Sequence, residues 1–325
     1  MPTAVHLTLA CGTYDINQGL ISGEVAPQGI DLTVITAPSP ERHWRMIRDA
    51  EFDACELSIG SYLMVHDRDD PAVIAIPAFP HRRFRHGYIF VNAAAGIAAP
   101  ADLAGRRIGI RTWQTSAGLW ARGILQDDHG LDLRSVAWVA QDEEDIPLPE
   151  GHGYDLRRVG PGESVTDMLV AGELDALIYP DVPDAVRRGD PRVRRLFPDP
   201  RAAEIDYATR TGFFPIMHTV VVRRSIVDAH PWLARELLTA FEASRARAFR
   251  AMADPRRVSL AWFSEALEEQ ERVLGPDPWA YDFARNRVAL ETVIRWSHEQ
   301  GMIRRRFPAE ELFAGPTLVD LPHYV

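Results

Sequence analysis

The sequence contains no lysine, so every permanently cationic side chain is an arginine. A chain without lysine cannot form a Schiff base with a carbonyl substrate, anchor pyridoxal phosphate, or supply the lysine of a phosphate-binding P-loop. Arginine remains available for any anion site, and its planar guanidinium can donate two parallel hydrogen bonds to a carboxylate.

Cysteine is nearly absent as well: Cys11 and Cys55 are the only two. Both lie near the ends of predicted strands, which favours buried, unpaired thiols over a metal site or a nucleophile. The sequence has no Cys-x-x-Cys, His-Glu-x-x-His or Gly-x-Ser-x-Gly, and no Gly-x-Gly-x-x-Gly after the first strand. We therefore expect no cofactor and no metal, although Glu56, His86 and His218 could together hold a metal ion.

No apolar run approaches the roughly 20 residues of a membrane span. The first ten residues lack the basic leader and long apolar core of a secretory signal, so we expect a cytoplasmic protein. The net charge of −10 opposes nucleic acid or an anionic membrane as a partner. A length of 325 residues, 46% of them apolar, is enough for two lobes with separate cores, and homo-oligomer formation is left open.

Strand and helix patterns alternate along the chain, which predicts an α/β fold with mainly parallel sheets. The first series consists of strand Val5–Cys11, strand Ile30–Ile35, helix Pro40–Ala50 and strand Phe52–Leu57. The second consists of strand Arg107–Arg111, helix Thr115–Asp128, strand Ser135–Ala140, an acidic loop over Gln141–Gly153, helix Glu163–Ala171 and strand Leu174–Tyr179. Three C-terminal helices are predicted at Pro231–Met252, Leu260–Val273 and Asn286–Gln300.

Two segments resemble each other: Met46–Ala54 and Met168–Ala176. Chance plus shared helix-to-strand turn chemistry could explain the likeness, or the chain could hold two equivalent α/β lobes. The apolar segments Arg85–Asn92 and Phe214–Arg223 are candidate crossovers between them. We therefore predict lobe one at residues 1–91 and 214–325, lobe two at 92–213, and a ligand cleft between them.

Ligands of such sheets bind beyond the carboxyl ends of the strands. The predicted strand ends are Thr13-Tyr14-Asp15, Glu56-Leu57-Ser58, Arg111-Thr112-Trp113-Gln114-Thr115 and Tyr179-Pro180-Asp181. The third combines hydroxyls and free backbone N–H groups at a helix start, which favours an anion. Alternatively, this third segment could be a helix cap that includes a tryptophan of the core, with no role in ligand binding.

Five of the six residues in His81-Arg82-Arg83-Phe84-Arg85-His86 can carry positive charge. A solvated basic loop is one interpretation. Arg85 and His86, however, precede an apolar strand that would shelter them, and a partly buried arginine needs an anionic partner. His218 lies in the apolar run Phe213–Val220, where it could be a core residue or could face a ligand and exchange protons near neutral pH.

At these residues the chain resembles the 4,5-dihydroxyphthalate decarboxylase family, over nearly its whole length. The likeness is carried by Tyr14-Asp15, Glu56-Leu57-Ser58, Ser61-Tyr62-Leu63, Ala75-Ile76-Pro77, Phe84-Arg85-His86, Gly123-Ile124-Leu125, Gly172-Glu173-Leu174-Asp175-Ala176, Asp190–Pro198 and Phe214–Val220. The sequence departs from the family pattern at Ile16-Asn17, Arg111-Thr112 and Tyr179–Pro183. These are expected strand ends, so the departures bear on the substrate and not on the fold.

The resemblance implies the two-lobed fold of type 2 periplasmic binding proteins, with mixed, mainly parallel sheets and C-terminal helices. It also implies cofactor-independent conversion of 4,5-dihydroxyphthalate to protocatechuate and carbon dioxide, by a carboxy-lyase of phthalate degradation and aromatic compound catabolism. The alternatives are a related enzyme for another hydroxylated aromatic acid and a non-catalytic binding protein or sensor for a small aromatic carboxylate.

Decarboxylation requires protonation of the ring carbon, helped by loss of a phenolic proton. We expect Arg85 and Arg111 to hold the retained carboxylate, and His218 or His86 to protonate the ring. The other histidine, Asp15 or Glu56 would take the phenolic proton, and Trp113, Tyr14 and Phe84 would enclose the ring. The predicted catalytic residues are thus His218, His86, Asp15 and Glu56, and the predicted substrate-binding residues are Tyr14, Ser58, Arg82, Phe84, Arg85, Arg111, Trp113, Gln114, Thr115 and Asp181.

Overall fold

The computed structural model describes residues 4–319, which divide into two compact units. Unit 1 contains the described residues up to Arg82, Ile216–Glu291 and the chain from Phe307 onward. Unit 2 contains Arg83–Pro215 and Thr292–Arg306.

These limits differ from the boundaries predicted near residues 91 and 214. Residues 83–91 join unit 2 because the strand Ile89–Asn92 pairs with strands of that unit. Residues 292–306 join it because Trp296 packs edge-on against Trp120, and the Gln300 amide oxygen accepts from Arg122 at 2.8 Å.

Unit 1 is built on a five-stranded sheet of order β2-β1-β3-β11-β4. Its strands are β1 (Val5–Cys11), β2 (Ile30–Thr36), β3 (Ala54–Ser58), β4 (Val73–Ile76) and β11 (His218–Arg223). β1 is parallel to β2 and β3, whereas β11 is antiparallel to β3 and β4. The start of β11 therefore lies beside the end of β3, where His218 is paired with Ser58.

Unit 1 also contains helices, several of which pack on the strands of this sheet. They are α1 (Gln18–Ile21), α2 (Ser39–Asp49), α3 (Ile59–His66), α8 (Arg224–Ala229), α9 (Pro231–Met252), α10 (Phe263–Leu274) and the first part of α11 (Phe283–Glu299). The structure confirms the predicted bounds of β1 and α9. The apolar stripe of α9, including Leu233, Leu237 and Phe241, is fully buried.

Unit 2 is built on a six-stranded sheet of order β10-β5-β9-β6-β7-β8. Its strands are β5 (Ile89–Asn92), β6 (Arg107–Ile110), β7 (Ala137–Ala140), β8 (Leu156–Arg158), β9 (Ala176–Ile178) and β10 (Val193–Arg195). The strands β9, β6, β7 and β8 are parallel, and β5 is antiparallel to β9 and β10. Its helices are α4 (Ser116–His129), α5 (Val165–Ala171), α6 (Asp184–Arg187) and α7 (Pro200–Thr211).

The two similar sequence segments have the same local structure. Ala50, with φ of 46°, follows the last residue of α2, and Gly172, with φ of 81°, follows the last residue of α5. In both places a residue in the left-handed conformation caps the helix before the next strand. The aspartate before each strand accepts a backbone N–H from the neighbouring parallel strand. Asp53 accepts from Thr8 at 2.8 Å, and Asp175 accepts from Arg107 at 2.9 Å. This equivalence favours two related α/β units over chance.

Both cysteines are buried free thiols, as predicted. Within residues 4–319, no helix has both the length and the apolar character needed to cross a bilayer.

His86 lies in a 3₁₀ turn that precedes β5, and only 3% of the residue is exposed. Its ring lies 5.2 Å from the ring of Phe197 and 5.3 Å from that of Tyr207, measured between centroids. Burial in this aromatic environment lowers the pKa of His86 to about 4. The side chain is therefore neutral in the folded protein at neutral pH.

Replacing His86 with Phe should reduce the loss of stability on acidification. Below the unfolded pKa near 6.5, the unfolded chain binds a proton that folded His86 does not bind, so stability falls as pH drops towards about 4. Over that window the unfolding free energy of His86→Phe should improve relative to the wild type by up to about 3 kcal/mol. Urea unfolding at several pH values measures this difference, with exposed His6→Gln as the control. A difference that does not vary with pH would contradict a neutral, buried His86.

Candidate functional site

Polar side chains converge on Glu56 at the carboxyl end of the sheet of unit 1. Glu56 lies in β3, Tyr14 follows β1, and His218 begins β11. The N-terminal half of α2 supplies Arg42 and His43, and the loop after β4 supplies His81. We call these six residues the Glu56 cluster.

The Glu56 side chain has no solvent exposure and makes four polar contacts. Its Oε1 lies 2.5 Å from His218 Nδ1 and 2.6 Å from Arg42 Nη2. The same oxygen accepts the Tyr14 hydroxyl at 3.0 Å, and Oε2 accepts the Gly12 N–H at 2.7 Å. Burial of a carboxylate is expensive unless it is paired and hydrogen-bonded, and here both conditions are met.

Arg42 is the cation that compensates Glu56, and it is only 1% exposed. Its Nε donates to the Glu56 backbone oxygen at 3.2 Å, and Nη1 donates to the Ala37 oxygen at 2.8 Å. Burial opposes the charge of Arg42, but attraction by Glu56 and then Tyr14 outweighs it and raises the arginine pKa. The guanidinium therefore stays charged and fixed beneath the carboxylate.

His218 is 7% exposed and is flanked by two other histidines. Its ring centroid lies 4.6 Å from that of His81 and 5.0 Å from that of His43, with the rings edge to face. Its Nδ1 contacts the Glu56 carboxylate at 2.5 Å, and this contact fixes the orientation of the ring.

Tyr14 is held in place by the shape of the loop after β1. A Cβ at Gly12 would lie 2.6 Å from the Tyr14 ring, so only glycine lets the ring approach Glu56 this closely. Burial, followed by the negative charge of Glu56, raises the Tyr14 pKa. The phenol is therefore protonated and acts as a donor to Glu56.

The other predicted residues of unit 1 lie outside the Glu56 cluster. Asp15 is exposed and accepts the N–H of Ile16 at 2.9 Å. Ser58 is buried and caps the N-terminus of α3. Arg82 is buried and donates to Asn286 Oδ1 at 2.6 Å; burial lowers its pKa to about 9.

In unit 2, two of the four residues of the predicted basic run, Arg85 and His86, are buried, whereas Arg83 is exposed. Arg85 is 3% exposed and donates to the Pro180 oxygen at 3.2 Å, and burial lowers its pKa to about 10. The ring of Phe84 packs 5.0 Å from that of Phe214, and Asp181 is exposed. Their predicted roles in substrate binding stay predictions.

The N-terminus of α4 already holds a carboxylate of the chain. Glu144 accepts the backbone N–H of Trp113 at 2.5 Å and that of Gln114 at 2.9 Å, so these two groups are not free for an external anion. Burial raises the pKa of Glu144. Thr115 caps the helix by accepting from Gly118, as the alternative reading expected.

The neighbours of this helix start are also occupied. Trp113 is fully buried, its indole lies 3.8 Å from the guanidinium of Arg122, and its Nε1 donates to the Gln300 oxygen at 2.8 Å. Arg111 pairs with Asp142 at 3.0 Å, and the Gln114 amide donates to Asp145 at 2.9 Å.

Arg42, His43 and His81 were missing from the residues predicted for the site. His81 had a usable signal, because it starts the basic run. Arg42 and His43 follow a predicted strand by a few residues, at the end of the sheet where ligands bind. Among residues 4–319, no group of three or more His, Cys, Asp or Glu is arranged to hold a metal ion.

Comparison with known proteins identifies relatives over most of the chain. A family model described as the periplasmic substrate-binding protein of a phosphonate ABC transporter matches residues 21–249. A 4,5-dihydroxyphthalate decarboxylase of Comamonas testosteroni is 36% identical over 319 residues, covering 95% of this chain and 96% of the relative. A second, from Pseudomonas putida, is 35% identical over 209 residues, covering 62% of this chain and 81% of the relative.

Among solved structures, the periplasmic aliphatic sulphonate binding protein SsuA of Escherichia coli matches with a TM-score of 0.54. The identity is 11%, and the match covers 98% of this chain and 99% of that one. The predicted periplasmic-binding-protein-like fold is therefore confirmed.

Breaking the pair at the centre of the Glu56 cluster should destabilise the protein strongly. Glu56→Gln leaves a buried guanidinium uncompensated, and Arg42→Met leaves a buried carboxylate. Each should lower the unfolding free energy by about 3–5 kcal/mol, and the double variant should lose less than the sum. Denaturant unfolding at pH 7 measures the coupling.

The pair Glu41–Arg45 on the same helix provides the control, because it is solvent-accessible and 2.8 Å apart. Its coupling should stay below about 1 kcal/mol. Equal coupling free energies in the two pairs would show that burial does not strengthen the contact between Glu56 and Arg42.

Proposed function

The chain belongs to the 4,5-dihydroxyphthalate decarboxylase family, and on that premise we propose that it removes one carboxylate from 4,5-dihydroxyphthalate, giving protocatechuate and carbon dioxide. The nearly full-length match to the Comamonas relative is the observation that carries this proposal. The Glu56 cluster supports it, because it supplies buried groups able to move protons.

The reaction exchanges a carboxylate for a proton on an aromatic carbon. The ring carbon must first be protonated, which is easier when the hydroxyl para to it has lost its proton. The carbon–carbon bond then breaks, its electrons restore the aromatic ring, and carbon dioxide leaves. The protein must therefore supply an acid for the carbon and exclude water from the site.

His218 is the acid in this proposal. Contact between its Nδ1 and the Glu56 carboxylate orients the ring, and the protonated imidazole can deliver a proton to the ring carbon. Arg42 pairs with the same Glu56 oxygen, Oε1, and so holds in place the carboxylate that orients the imidazole. Tyr14 adds a donor to the same oxygen and contributes an aromatic wall.

A non-catalytic binding protein is the second candidate, because the matching family model and the sulphonate-binding neighbour both describe binding proteins. A binding protein would use the same fold without proton transfer. A third candidate is an enzyme for another hydroxylated aromatic acid, since the family pattern changes at three strand ends.

We place the enzyme in the cytoplasm, in a step of phthalate degradation. Two buried free thiols, Cys11 and Cys55, support a reducing compartment. The ligand class is a small anionic aromatic acid. Cell fractionation tests the location, and size-exclusion chromatography with light scattering tests for a homo-oligomer.

Incubation of the purified protein with 4,5-dihydroxyphthalate should yield protocatechuate and one equivalent of carbon dioxide. His218→Gln should lower kcat by roughly 10²–10⁴-fold, the usual contribution of a positioned acid, while substrate binding persists. Ultraviolet spectroscopy follows the reaction, calorimetry measures binding, and His6→Gln is the control.

Each other result has a defined meaning. Binding without turnover by the wild type selects the binding protein, and absence of binding selects another substrate. Unchanged kcat in His218→Gln would eliminate His218 as the acid.

A further inference from the structure

His43 is a buried histidine with an unsatisfied ring nitrogen. It lies in the N-terminal half of α2, next to Arg42, and is 9% exposed. Its Nε2 makes no hydrogen bond to any residue in the part of the chain that the structure describes. Since buried polar atoms in proteins nearly always have a partner, such an atom is suited to contact a bound molecule.

The groups that face His43 keep it neutral. Burial is the largest effect, and the positive charges of His218, Arg42 and His81 act in the same direction, against the attraction of Glu56. The pKa of His43 therefore lies well below its ordinary value of 6.5. A neutral imidazole at neutral pH can accept a proton and has none to give as an acid.

His218 has the opposite environment at a short distance. Its ring centroid is 5.0 Å from that of His43, yet only His218 contacts the Glu56 carboxylate, at 2.5 Å. Of two neighbouring imidazoles, the one that contacts a carboxylate is suited to act as the acid, and the one that burial keeps neutral is suited to act as the base.

We propose that His43 is the catalytic base that accepts the phenolic proton of the substrate; this assignment rests on the proposed decarboxylation. His43 takes the proton of the hydroxyl para to the departing carboxylate, and His218 donates its proton to the carbon that bears the carboxylate. The carbon–carbon bond breaks, its electron pair returns to the ring, and carbon dioxide leaves. The resulting phenolate regains the proton from His43, and His218 is reprotonated from water.

The other predicted acceptors fit this role less well. Both oxygens of Glu56 are already engaged by four donors, and Asp15 is exposed to water. His43 combines burial, neutrality and an unsatisfied nitrogen within the Glu56 cluster.

His43→Gln should lower kcat by roughly 10²–10⁴-fold at pH 7. The deficit should shrink as pH rises towards 9, because phenols ionise in solution with a pKa of about 10 and an ionised substrate needs no base. His218→Gln should show no such recovery, and exposed His6→Gln should behave as the wild type. The measurement is the pH profile of kcat and kcat/KM for 4,5-dihydroxyphthalate, with circular dichroism to verify folding.

A second readout needs no turnover. Protocatechuate keeps the hydroxyl that would donate to His43 Nε2, so His43→Leu, which has no acceptor, should bind it roughly tenfold more weakly than the wild type, and His6→Gln should bind it equally well. This comparison separates the two proposals: a wild type that makes no product but binds protocatechuate more tightly than His43→Leu disproves the decarboxylation and retains the contact between His43 and the hydroxyl. The assignment is overturned by an unchanged kcat in His43→Gln, by a deficit equal at every pH, or by equal affinity of the wild type and His43→Leu for protocatechuate.

Discussion

The burial of the Glu56 carboxylate is the constraint on which the arrangement of unit 1 depends. A carboxylate with no exposure must be neutralised and hydrogen-bonded, or it would take up a proton or unfold the site. Its partners come from the loop after β1, from the N-terminal half of α2 and from the start of β11. The sheet order, which sets β3 between β1 and β11, brings these partners to one carboxylate, so the geometry of the site follows from the topology of the strands.

Unit 2 resembles unit 1 in how its strands are held together, but it differs in the residues that follow the strand ends. Its aspartate before β9 fixes the neighbouring strand as Asp53 does in unit 1, which indicates a shared architecture. At the strand end, however, the backbone N–H groups of Trp113 and Gln114 are bound by Glu144, a carboxylate of the chain itself. Similar units therefore present different chemistry, because the residues after their strands differ while the strands remain alike.

The fold could be predicted from the sequence where residue patterns are periodic. β1 and α9 have clear apolar patterns, and their predicted bounds match the structure. α3 was missed because all eight of its residues are buried, which leaves no polar face to reveal the helical period. β8 and β10 have three residues each, too few for a pattern. In the Glu56 cluster, Glu56, Tyr14 and His218 could be predicted because they lie at strand ends. Arg42 and His43 could not, because the sequence alone does not distinguish a buried polar helix start from a solvated one.

The charge of the Glu56 cluster bears on whether it serves binding or catalysis. A site that only binds an anion needs uncompensated donors or positive charge. Here the charge of Arg42 is cancelled by Glu56 at 2.6 Å, so the pair adds little attraction for an external carboxylate. What the pair does provide is an oriented imidazole at His218, held by its contact with the Glu56 carboxylate. An arrangement that adds little to the capture of an anion but orients an imidazole is suited to proton transfer, and it therefore agrees with the proposed decarboxylation.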